Sequence, residues 1–395
     1  MKVVLKKYKE NVFPALLVLM IFGTLLFIWL APLFIALLTL VWFFKFKTFQ
    51  NFSLKLKWIW PFLFYFFVFG IAFFFSENTI EGLKILERHI SFIVLPFLIF
   101  CKKWSKSELV FFLKFYVQIV FIISVVSLIF LLYFYITNVD FVHSMDDTYL
   151  QWKLPHLLGF HPTYFGFNIV VANIILLTSS NINNLKNSTL YTALFLSFYL
   201  VYMSPRTAIL CQFIVWIWFV YNRFSSTETL KYIKTTFAVI SLSIMVFLAF
   251  KSEYFVTKLM NSISDKRFML WEPAYDLIKE NYFLLGEGLG NGEIQITQYI
   301  NANNLTQFQV SDLHNQFLMN YLDIGFFGFL AILLLVLRPL IYFKDKALYL
   351  FSLIFFISIF TESFLYVIKG IVLFIILSSI FILRSSLLTV KENQK

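Results

Sequence analysis

Residues 109–136 read LVFFLKFYVQIVFIISVVSLIFLLYFYI, and Lys114 is the only charge among them. A helix crosses roughly 30 Å of hydrocarbon with about twenty apolar residues, so this run is long enough to span a membrane. Runs of similar character recur at roughly 12–29, 30–45, 58–75, 83–101, 162–179, 189–203, 206–222, 232–250, 315–338, 346–362 and 368–386. That makes about twelve spans of the length a bilayer demands. The whole chain agrees: of its 395 residues 60% are hydrophobic and 21% aromatic, far beyond a soluble domain of ordinary composition. Lipid cannot satisfy open backbone groups, so the spans must be helices packed against one another. The expected fold class is all-α: a polytopic membrane bundle of about twelve transmembrane helices, with 1–395 forming a single integral membrane domain.

Charge sidedness orients the bundle. Lys2, Lys6, Lys7 and Lys9 precede the first span and resemble a signal-peptide n-region. No small-residue cleavage site follows, and the second span begins almost at once, so the first is read as a retained helix. If each span flips the side, the inner segments collect these four lysines with Lys45, Lys47, Lys55, Lys57, Lys102, Lys103, Lys106, Lys186, Arg223, Lys231, Lys234, Arg338, Lys344, Lys346, Arg384, Lys391 and Lys395. Among the acids only Glu10, Glu108, Glu228, Asp345 and Glu392 share that side. This is the positive-inside bias, and it places both termini in the cytoplasm. Topology therefore accounts for the net charge of +11, and no nucleic-acid partner is implied. Cys101 and Cys211 fall in or at the edge of spans, which leaves no outer-loop disulfide and no metal-site spacing. There is no internal repeat and no detachable soluble domain.

On the opposite, outer side the polar chemistry gathers in two loops and one short turn. The loop at about 136–161 holds Asp140, His143, Asp146, Asp147, His156 and His161, whose spacing matches no strong metal-ligand motif. The larger stretch, 251–314, carries Asp265-Lys266-Arg267, then Trp271, Tyr275, Ile278 and Tyr282 at spacings of three and four. That period predicts a helix lying along the outer membrane surface or capping the bundle. Gly286, Gly288, Gly290 and Gly292 follow; without GxGxxG spacing, a preceding strand or a P-loop lysine, they read as a tight, exposed turn that lets backbones approach closely. The stretch ends on Asp312-Leu313-His314-Asn315. The imidazole of His314 has the chemistry to take a proton from a hydroxyl at neutral pH; equally, a histidine at a helix start is a common capping residue. In the short turn at 203–207, Arg206 breaks the charge rule, either snorkelling or pairing with Glu81 or Glu362, or gripping an anionic headgroup with its fork. Arg267 has the plain alternative of a solvated partner for Asp265 or Glu272. Arg88 and His89 interrupt the fourth span and are candidates for function by their depth; His89 is equally suited to an interhelical hydrogen bond.

These residues resemble the O-antigen ligase and polymerase superfamily. The resemblance runs through Ser204-Pro205-Arg206-Thr207-Ala208, Arg267-Phe268-Met269-Leu270-Trp271, Asn281 to Gly292, and His314-Asn315-Gln316-Phe317-Leu318 leading to Gly325-Phe326-Phe327-Gly328. It covers about 190–335, with Ser76-Glu77-Asn78 and Pro96 as echoes in the N-terminal half. It implies a bacterial inner-membrane enzyme of about twelve helices with 251–314 as a periplasmic loop before the tenth. It implies metal-independent glycan transfer, with no cofactor, from a polyprenyl-diphosphate-linked donor to a lipid A-core or other glycan acceptor among membrane lipids. In that family arginines hold the diphosphate and a histidine activates the acceptor hydroxyl. The carry-over makes Arg206 and Arg267 diphosphate ligands and His314 the general base, with Arg88 a further substrate-binding candidate by its depth. The arginine motif begins Ser-Pro here rather than with a second arginine, so a doubled clamp does not carry over.

The chemistry coheres. A sugar C1 bonded to diphosphate already has its leaving group, so arginines have only to stabilise the departing charge and a base to activate the hydroxyl. A polymerase that joins lipid-linked repeats is the alternative within the family. A lipid-linked glycan flippase or secondary transporter is the alternative outside it; such proteins tend to show repeated halves and charges near mid-membrane.

Overall fold

The computed structural model describes residues 2–45, 52–137, 158–178, 186–203, 205–224, 236, 266–280, 284–302, 312–342 and 345–392. Every regular element among them is helical. In chain order these are α1 (Lys2–Leu26), α2 (Leu30–Lys45), α3 (Phe52–Phe73), α4 (Thr79–His89), α5 (Ser91–Cys101), α6 (Lys106–Thr137), α7 (Pro162–Thr178), α8 (Asn187–Met203), α9 (Arg206–Phe224), α10 (Lys266–Glu280), α11 (Asn291–Ala302), α12 (Gln316–Ile324), α13 (Phe326–Tyr342), α14 (Lys346–Ile359), a 3₁₀ turn at Phe364–Tyr366, and α15 (Ile368–Glu392). Three stretches, Leu56–Phe73, Lys106–Tyr133 and Ile368–Leu387, are long and apolar enough to cross a membrane; five shorter helices are apolar over 10–17 residues. The all-helical expectation is met. Among the described residues the apolar helices do not reach the expected count of twelve spans, and the span expected at 232–250 lies almost wholly outside them.

The chain divides into two compact units, one of Met1–Leu109 with Ser264–Lys395 and the other of Val110–Ile263. In the first, the α15 window Ile368–Leu387 carries only Lys369 and Arg384 as charges and 83% of it is buried, against 39% for α3. A helix without a polar face belongs at the centre of its bundle. Phe374 of α15 accordingly stacks on Phe355 of α14 at 4.2 Å, with Phe351 and Phe364 packed around them. At the α5–α6 corner Lys102 and Glu108 form a buried ion pair, and the Lys102 ammonium lies 4.5 Å from the Trp104 ring.

Two expected spans are interrupted. The one at 83–101 tightens at Ile90, whose N–H is shared between Leu86 and Glu87 carbonyls, and α4 gives way there to α5. The one at 315–338 stops at Gly325, where φ is +71° and the N–H turns back to the Tyr321 carbonyl. This positive-φ conformation, with ψ at −157°, is open to glycine; it ends α12, and the chain restarts as α13. A Cβ at Gly325 would lie 2.4 Å from the Leu284 carbonyl oxygen, so a side chain has no room there.

In the second unit α7 packs on α8 and α9, and its polar residues turn inward. The Tyr116 hydroxyl donates to Asn168, Asn173 donates to Ser197 and Gln212, and the Trp216 indole N–H donates to Ser197. Amides and hydroxyls of this kind hold helices together where the surroundings are apolar.

Candidate functional site

In the first unit the chain enters α12 through Asp312, Leu313, His314 and Asn315. Asn315, not His314, caps the helix: its side chain accepts from the N–H groups of Phe317 and Leu318 at 3.0 and 3.2 Å. His314 is thus released from the capping role that its position suggested. It has φ of +49°, the only positive value at a non-glycine among the described residues. A side chain held in that region marks a place where the surroundings override local preference.

The override is visible. Asp312 accepts from the His314 backbone N–H at 3.0 Å and from the Ser363 hydroxyl at 2.6 Å, both through Oδ1. The imidazole Nδ1 then stands 3.3 Å from Glu362 Oε2 and 3.7 Å from Asp312 Oδ2. Glu362 is buried, whereas about a third of the His314 ring (32%) stays exposed. Two carboxylates on one nitrogen favour a proton at Nδ1, which places the lone pair on Nε2, the form a general base requires.

The turn carrying Glu362 is itself held from several sides. Gln316 accepts from the Leu365 N–H at 2.6 Å, and Arg88 Nη1 donates to the Tyr366 carbonyl at 3.4 Å. The Tyr366 hydroxyl donates to Asp323 Oδ2 at 2.8 Å, while Asp323 Oδ1 accepts from the Gly292 N–H at 2.9 Å. Arg88 therefore reaches the turn that orients the histidine. Its neighbour His89 packs there instead: fully buried, it stacks on Phe69 at 4.0 Å, lies edge-on to Tyr366 and gives its Nδ1 to the Ile85 carbonyl of its own helix at 2.7 Å.

The glycine cluster closes over the broken end of α12. Glu287 N–H meets the Leu322 carbonyl at 2.7 Å and Gly288 N–H meets that of Asp323 at 3.0 Å. A Cβ at Gly288, where φ is +98°, would fall 2.3 Å from the Phe75 carbonyl oxygen. The close backbone approach expected from the sequence is present; the exposure is not, because Gly288, Leu289 and Gly290 are buried. Ser76 and Asn78 complete the contact, through the Leu289 carbonyl and the Asn291 side chain.

α10 confirms the helix expected before the glycines, with its buried face shifted. Leu270, Pro273, Ala274 and Leu277 point inward, whereas Tyr275 is 54% exposed beneath the Lys279 ammonium. The expected stripe at 271, 275, 278 and 282 thus lies about one position beyond the face that the chain buries. The helix is tied to the histidine turn by the Trp271 indole, which donates to the Leu313 carbonyl at 3.0 Å. Arg267 lies four residues before Trp271, at a position on the same helix face. Tyr282 and the loop histidines His143 and His156 lie outside the described residues.

In the second unit Arg206 is the first residue of α9, half-buried, directly after Pro205. Gly166 of α7 allows this corner to pack closely: its Cβ would meet Pro205 at 2.9 Å and Ala208 at 3.0 Å.

Sequence reasoning weighed Glu362 only as a partner for Arg206 and missed Asp312 and Ser363 as site residues. Partial burial, then Glu81, Asp323 and Asp312, raise the Glu293 carboxyl above its ordinary value, with Arg88 opposing. The one available signal was the acid-serine pair between two apolar spans.

Residues 191–333 match the family Wzy_C, described as O-antigen ligase. The matched stretch contains Arg206, Arg267, the glycine turn and His314, and coincides with the range over which the motifs carried the resemblance. No curated protein matches the chain. The match supports glycan transfer of the O-antigen ligase or polymerase type by a membrane protein acting on lipid-linked glycans.

Proposed function

We propose that this protein transfers a glycan from a polyprenyl-diphosphate-linked donor to an acceptor hydroxyl at the periplasmic face of a bacterial inner membrane, with His314 as the general base. The observation that carries the reading is Nδ1 of His314 held by Glu362 and Asp312. In the step, Nε2 takes the acceptor proton as the oxygen attacks the sugar C1. The C1–oxygen bond to the diphosphate breaks, and the polyprenyl diphosphate departs with the bonding pair. Arg206, Arg267 and Arg88 bind the donor and offset the charge that grows on the leaving group, each charge-assisted contact contributing about 1.5–3 kcal/mol. No metal or cofactor takes part. The acceptor is lipid A-core or another glycan; a second lipid-linked repeat as acceptor would make the enzyme a polymerase. Residues 1–395 act as one integral membrane domain with both termini cytoplasmic and 251–314 periplasmic.

A flippase or transporter reading would draw on the break between α12 and α13 and the buried Asp323 beside it. Both oxygens of that carboxylate are already committed, to Tyr366 and Gly292, which favours a structural role. The deciding experiment is transfer by purified protein given lipid-linked donor and acceptor. Product formation that His314→Gln abolishes supports the reading, and equal turnover by that variant removes the base. Topology is tested with Gln298→Cys, an exposed position on α11, in a cysteine-free background. Labelling by an impermeant maleimide in outer-membrane-permeabilised cells is expected; labelling only after inner-membrane lysis reverses the sides.

A further inference from the structure

The end of α13 remote from the His314 turn carries a second arginine arrangement that glycan transfer does not use. Arg338 lies about 18 Å along the helix from Phe326 by rise per residue. Its guanidinium is folded back on Trp60 of α3, with Cζ 4.0 Å from the ring centroid and 5.4 Å from the Tyr342 ring one turn on. Nη1 is buried in this stack without a hydrogen-bond acceptor, and among the described residues no carboxylate pairs with the group. A snorkelling arginine extends towards water; this one is pinned against an aromatic face. Stacking orients the plane and preserves the charge, leaving the rest of the fork for an oxyanion.

The neighbours point to the kind of oxyanion. Leu337 and Ile341 on either side of Arg338 are 42% and 79% exposed, an apolar surface suited to an acyl chain. Lys57 stands one turn before Trp60 on α3, exposed, with its ammonium 5.8 Å from the Trp58 ring. An aromatic-stacked guanidinium thus sits beside exposed apolar side chains, with a second cation one turn before its aromatic platform. We propose that this is a binding site for one anionic phospholipid. Its phosphate rests on Arg338, with Lys57 adding positive charge one turn before Trp60, and its chain enters the bilayer past Leu337. If the His314 turn faces the periplasm, the lipid belongs to the cytoplasmic leaflet.

The test uses the full chain in detergent, titrated with phosphatidylglycerol and followed by native mass spectrometry and thermal unfolding. Wild type is expected to retain the lipid and to melt higher with it. Arg338→Gln should bind it about tenfold or more weakly, the factor expected for losing a charge-assisted contact. Equal affinity in the two proteins overturns the site, and displacement by millimolar inorganic phosphate alone overturns a lipid as the occupant. Should Arg338→Gln not fold, Arg338→Lys carries the test, since it keeps the charge and loses the fork. Several-fold weaker binding is expected of it, and wild-type affinity overturns the geometry. Glycan transfer is not the readout, so either proposal can fail alone.

Discussion

Two histidines approach the segment 362–366 and meet opposite surroundings. His89 is sealed among Phe69, Tyr65, Phe92 and Tyr366, with ring centroids 4.0 to 6.3 Å away and Nδ1 spent on its own helix. His314 stands a third exposed, with Nδ1 facing two carboxylates. An aromatic box makes imidazole a flat packing piece; a carboxylate pair fixes its orientation, as the proposed base requires. The difference lies in the neighbours, because the side chain is the same.

The sharpest way to break this contrast is to exchange the expected consequences. His314→Gln should cost roughly 10²–10⁴-fold in transfer, the contribution of a positioned base. His89→Phe, which keeps a ring in the box, should leave the rate close to wild type while shifting the melting temperature. A transfer assay on both purified variants checks this, and a rate loss at His89 matching that at His314 would erase the distinction.

Next in size is the carboxylate behind the base. Glu362→Gln retains shape and loses the charge on Nδ1, so transfer should fall by roughly tenfold to a hundredfold, the range for a hydrogen bond to a charged group. Glu362→Asp should recover part of it. Donor affinity should stay constant in both, since the carboxylate acts through His314; a change confined to donor binding would place Glu362 with the arginines.

The arginines sharpen the comparison from the substrate side. Arg206→Lys and Arg267→Lys keep the charge and lose the fork, and each should lower transfer about tenfold or more with expression unchanged. Wild-type rates in both would leave Arg206 as an anchor to lipid headgroups. EDTA should leave the wild-type rate unaltered, and inhibition reversed by added divalent cation would introduce a metal.

The smallest effect is expected at Glu293. Its carboxyl holds a proton more tightly in the folded chain than its ordinary value of 4.5. Such a group stabilises the fold below its unfolded pKa and loses that contribution as pH rises through the raised value. Glu293→Gln should therefore melt slightly higher than wild type at neutral pH and converge with it in acid, as followed by thermal unfolding across pH. Divergence growing towards low pH would reverse the assignment.

Much of this was legible without a fold. Runs such as 109–136 require helices because hydrocarbon offers no partner to an open backbone, and the lysine distribution supplied the expected sidedness. Arg206, Arg267 and His314 were recognisable because polar chemistry is rare in so apolar a chain. Gly325 stood in plain view, yet hydropathy runs straight across it; only the approach of Leu284 and Gly286 makes it the end of a helix.

Composition and order along the chain thus determined the helical class and the residues fit for chemistry, since both follow from the transfer of single groups between water and lipid. Tertiary structure decided what those residues face. Glu362 lies 48 positions from His314 and Tyr366 lies 278 from Arg88, separations at which no local periodicity operates. Which histidine is oriented by carboxylates depends on those distant partners, because a proton's position is set by the charges within a few ångströms of it.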